Sequence, residues 1–136
     1  MLRTTLKIIL LSTVTAISPG CLADNLDGVI YYKVKNNEFI LKKSCVEGTM
    51  LREVFVNGEP KPAISIFFEI KDDESCSGAL NKLFRDNIGA TVTAVFNKNN
   101  ELATAKIVSE MKTENGFSQY VPDKKLAMKI INSYNE

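Results

Sequence analysis

Few residues here could do chemistry. The 136-residue chain has no histidine, so neither a Ser-His-Asp nor a Cys-His arrangement can be assembled, and proton transfer would fall to carboxylates. One acidic cluster is present, Asp72-Asp73-Glu74. It precedes an amphipathic stretch, where such acids supply a capping oxygen and suit the positive end of a helix dipole. A helix start accounts for it better than a catalytic pair does. Ser75 and Ser77 flank Cys76 with no base identifiable nearby. No glycine-rich phosphate loop or metal-ligand spacing occurs. The expectation is therefore a protein with no catalytic, cofactor-binding or metal-binding residues.

The remaining chemistry belongs to Cys21, Cys45 and Cys76. The chain opens Met1-Leu2-Arg3-Thr4-Thr5-Leu6-Lys7, with two positive charges and no acid. An apolar run from Ile8 to Ile17 follows, and Pro19-Gly20 breaks any helix. That is the order of a secretory signal. Cys21 and Ala23 put small side chains at the third and first positions before a cut, which places cleavage between Ala23 and Asp24. The apolar run is well short of the roughly 20 residues a membrane span needs. Residues 1–23 thus read as a signal peptide and 24–136 as one periplasmic domain with no transmembrane span. A minority reading makes Cys21 the acylated residue of a lipoprotein cut after Gly20, although the lipobox pattern is matched only at Gly20-Cys21. Cleavage at Ala23 leaves Cys45 and Cys76 as an even pair in an oxidising compartment, and a disulfide is the natural reading. Closing a loop of about 30 residues would stabilise the fold by roughly 3 to 4 kcal/mol.

Removing the signal takes 2 of the 17 basic residues and none of the 16 acidic ones, so the remainder is nearly neutral. Lys42-Lys43 and Lys124-Lys125 are isolated pairs rather than the basic stripe that phosphate neutralisation requires, so nucleic acid is not an expected partner.

The elements follow from periodicity. Ile30 to Val34 and Phe39 to Lys42 read as a hairpin around Lys35-Asn36-Asn37, and Arg52 to Asn57 as another strand ended by Asn57-Gly58. Ile64, Ile66, Phe68 and Ile70 alternate with Ser65, Phe67 and Glu69, a strand with one face on a core. Cys76, Ala79, Leu80, Leu83, Phe84 and Ile88 form an apolar helical stripe, and Gly89 suits a left-handed cap. Thr91 to Phe96 and Leu102 to Val108 flank the turn Asn97-Lys98-Asn99-Asn100. A short run from Phe117 to Val121 precedes Pro122, which suits the first turn of a last helix. That helix carries Leu126, Ala127, Ile130, Ile131 and Tyr134 on its apolar face. The predicted class is α+β, an antiparallel sheet with two helices packed on one face.

In this order of elements, the step Gly48-Thr49-Met50-Leu51, the helix end Asn87-Ile88-Gly89 and the pair Leu126-Ala127 carry a resemblance. From Phe39 to Tyr134 the chain resembles the head subdomain of the first periplasmic domain of SecD, a subunit of the bacterial SecDF protein-export machinery. The glycine-rich segment before that family's last strand is reduced here to Asn115-Gly116. SecD's proton-coupled membrane helices have no counterpart in residues 24–136.

The resemblance implies a protein-binding module that meets exported polypeptide or an envelope component. Phe55, Phe67 and Tyr120 are candidates for such a contact surface, with a place in the core the plainer expectation for each. A small, disulfide-stapled exported domain also fits an immunity protein that neutralises a toxin acting in the periplasm.

Overall fold

The computed structural model describes residues 26–136. The signal-peptide reading, the Ala23/Asp24 cleavage site and Cys21 lie outside the described residues.

Alternation organises the strand at the middle of the smaller sheet. In β4 (Ala63–Ile70) the even-numbered Ile64, Ile66, Phe68 and Ile70 are buried, as a strand with one face on a core requires. It pairs antiparallel with β3 (Val46–Val54) on one side and β7 (Phe117–Val121) on the other. The larger sheet runs β2-β1-β5-β6, all antiparallel. It comprises β1 (Ile30–Val34), β2 (Asn37–Leu41), β5 (Thr91–Phe96) and β6 (Asn100–Lys106). The three-residue β5–β6 turn places Asn97 and Lys98 at positive φ.

The α+β class is as expected, with four and three antiparallel strands and two helices. The strands divide between two sheets where one was expected. Alternation fixes which way each side chain faces but not which strands pair. Here the 3-10 turn Lys43–Cys45 ends the first hairpin and redirects the chain into the second sheet.

Helix α1 (Ser77–Arg85) lies against β2, and α2 (Lys124–Tyr134) against β3, β4 and β7. The core fills the space between the sheets and α2. Phe117 stacks on Phe68 with ring centroids 5.6 Å apart and meets Tyr32 edge-on at 6.2 Å, while Tyr134 meets Phe68 edge-on at 5.3 Å.

Three local expectations are corrected. Asp123 caps α2 by accepting from the Leu126 N–H at 2.8 Å, which leaves Pro122 before the cap rather than in the first turn. Ile88 is exposed, because α1 stops at Arg85 and the stripe stops with it. Asp73 does not cap α1 directly. Its Oδ1 accepts from the Ser75 and Cys76 N–H groups and the Ser75 hydroxyl, closing the turn before the helix. The Ser75 hydroxyl, more than those N–H groups, holds the Asp73 carboxyl below the usual carboxylate range.

Candidate functional site

Cys45 and Cys76 are joined, with sulfurs 1.97 Å apart and Cα atoms 5.5 Å apart. Both are buried. The bridge fastens the entrance of β3 to the start of α1, beside the main-chain bond from the Lys71 N–H to the Cys45 carbonyl at 2.8 Å. The smaller sheet is thereby held at a fixed place relative to α1.

The odd-numbered positions of β4 and their neighbours make the outer face of this sheet. In register, Met50, Phe67 and Ser118 form one row, and Arg52, Ser65 and Tyr120 the next. α2 packs on the opposite face, where the even-numbered β4 residues are buried. Met50 is 55% exposed and Tyr120 58%, and Phe55, just beyond β3, is 78% exposed. Val54 and Val56 are also exposed. Phe67 is half-buried, with the Arg52 guanidinium 4.4 Å from its ring centroid, a distance at which cation and ring attract. Of the three aromatic candidates, Phe55 and Tyr120 thus lie on the surface rather than in the core.

The outer face continues at Tyr120 into a cavity of about 200 Å³ between the sheets. One wall is Leu80 and Phe84 of α1. Another is the inner face of the β5–β6 hairpin, where Val92 pairs with Ala105 and Ala94 with Ala103. Phe117 and Gln119 of β7 close it. Gln119 is 8% exposed. Its Oε1 accepts from the Tyr32 hydroxyl at 2.8 Å and its Nε2 donates to the Tyr120 carbonyl at 2.9 Å. Burial, the largest influence, and the neighbouring Tyr134 push the Tyr32 hydroxyl well above its ordinary pKa, so it stays a neutral donor.

A bond network ties α1 to the segment before β7. Asn81 Oδ1 accepts from the Thr113 N–H at 3.0 Å and hydroxyl at 2.8 Å, and Asn81 Nδ2 donates to Glu114. Thr113 is wholly buried. Sequence reasoning missed Tyr32, Gln119 and Asn81. Each acts through a partner distant in the chain, and the one available signal was Gln119 as a polar residue at an inward position of β7.

Comparison with protein-family models, curated proteins and solved structures finds no match to this chain.

Proposed function

We propose that this protein is an exported, non-catalytic periplasmic module that binds another polypeptide on the outer face of its three-stranded sheet. The observation that carries this reading is the group formed by Met50 and its register partner Phe67, with Tyr120 in the neighbouring row and Val54 further along β3, on the sheet face away from α2. Exposed apolar patches rimmed by polar residues mark interaction surfaces, and aromatic residues are enriched in interfaces. Export is supported by the leader-like order of residues 1–23 and by the buried disulfide, which persists in oxidising compartments. Among the described residues no helix is long and apolar enough to cross a membrane. The resemblance to the SecD head suggests exported chains or envelope components as the partner class.

The test is capture from periplasmic extract under non-reducing conditions, with mass spectrometry, comparing the wild type with a Met50→Asp/Tyr120→Asp double variant. Retention of unfolded exported chains or translocon components, weakened by about tenfold or more in the variant, is the expected result. Equal retention by both proteins would overturn it. A single tightly held toxin would select the immunity reading in its place.

A further inference from the structure

The cavity beside the outer face has the size and floor of a receptor for one side chain. Three alanines of the β5–β6 hairpin, buried Ala94, half-buried Ala103 and exposed Ala105, line it. The space they leave, about 200 Å³, is close to the roughly 150 Å³ apolar cavity that admits benzene. It is below the roughly 300 Å³ at which pockets for drug-sized molecules begin.

The floor is polar at Gln119. The Gln119 amide is fixed in orientation, because only Nε2 can donate to the Tyr120 carbonyl while Oε1 accepts from Tyr32. Its second N–H has no partner among the described residues, although the side chain is more than nine-tenths buried. A buried donor left unpaired is unfavourable, so an occupant carrying an acceptor at the far edge of its ring is favoured over a plain hydrocarbon.

The rim identifies the kind of molecule that brings the ring. β6 is an outer strand of the larger sheet and β7 of the smaller, and the two approach each other at the mouth. Among the described residues each has a main-chain edge without a strand partner, the feature that extended polypeptides recognise. Tyr120 belongs both to this rim and to the outer face. Resting on the binding function proposed above, we infer that the cavity receives a tyrosine side chain of the bound polypeptide. The ring fills the space between Phe84 and the alanines, and the phenol oxygen accepts from the free Gln119 N–H.

Amide NMR titration of the purified protein tests this with blocked five-residue peptides differing only in a central Tyr, Phe or Ala, and with p-cresol. The Tyr peptide is expected to shift the Leu80, Ala103 and Gln119 signals saturably. The Phe peptide should bind about five- to tenfold more weakly, the worth of one neutral hydrogen bond, and the Ala peptide at least about tenfold more weakly again. Ala105→Leu, at an exposed position of the wall, should abolish Tyr-peptide binding while signals far from the cavity stay in place. Gln119→Met should make Tyr and Phe peptides equal, which checks the floor independently.

Equal binding of the Tyr and Ala peptides, or unchanged binding by Ala105→Leu, overturns the inference. Binding of p-cresol without the Tyr peptide also overturns it, in favour of a small-molecule site. If partner capture is lost in Met50→Asp/Tyr120→Asp but intact in Ala105→Leu, the binding function stands and the tyrosine inference alone fails.

Discussion

The Tyr134 hydroxyl joins α2 to two strands of the larger sheet. It accepts from the Ile30 N–H at 2.8 Å and donates to the Leu41 carbonyl at 2.6 Å, and all three residues are buried. Tyr134→Phe leaves a main-chain donor and a main-chain acceptor unpaired in the core, and should cost about 2 to 4 kcal/mol, read from urea unfolding. The same hydroxyl carries a pH dependence. Burial pushes both Tyr32 and Tyr134 above their ordinary values, and for Tyr134 the bond accepted from Ile30 opposes the rise only in part. A phenol that ionises more readily unfolded than folded leaves stability intact below its unfolded pKa of about 10, and stability is lost as pH rises past it. The loss should approach 1.4 kcal/mol per pH unit for each tyrosine, as an order of magnitude. Urea midpoints between pH 9 and 12 check this, and Tyr134→Phe should show the shallower fall.

At the scale of elements, the turn before β7 depends on one glycine. Gly116 has φ +95°, and a Cβ there would lie 2.7 Å from the Phe68 carbonyl oxygen and 2.4 Å from the Phe67 ring. Gly116→Ala should therefore destabilise by about 2 kcal/mol or more. It should also tilt Phe67 out of its place under Arg52, visible as a changed near-ultraviolet aromatic signal. From sequence, Asn115-Gly116 was legible only as the remnant of the glycine-rich segment in the family it resembles, since nothing local says that a neighbouring strand comes so close. The faces of β4 and the buried stripe of α2 were legible, because alternation and helical spacing record burial directly. The surface positions of Phe55 and Tyr120 were not. Ser118 and Tyr120 alternate with Phe117, Gln119 and Val121 in a way that sorts two faces, but which face a helix covers is decided by tertiary packing. β3 begins at Val46 rather than near Arg52, since an edge strand with exposed Glu47 and Met50 shows little apolar signal. The cavity was illegible for a related reason. Ala94 and Ala103 look like ordinary strand residues until pairing sets them opposite each other.

For the molecule as a whole, the Cys45–Cys76 bridge is the one covalent tie between distant parts of the described chain, with a sequence separation of 31. Reduction should lower unfolding stability by about 3 to 4 kcal/mol in the chain-entropy account, measurable as a fall in urea midpoint on adding dithiothreitol. An unchanged midpoint would mean that the main-chain bonds beside the bridge already hold the junction. The same tie governs how the protein behaves under tension. A pull on the two ends of the chain passes from Cys45 to Cys76 through the sulfurs, so the backbone of β3 and β4, enclosed in the covalent ring, is not extended. Stretching an oxidised molecule then releases roughly 100 Å less contour than stretching a reduced one, and the β3–β4 pairing survives while the larger sheet is drawn apart.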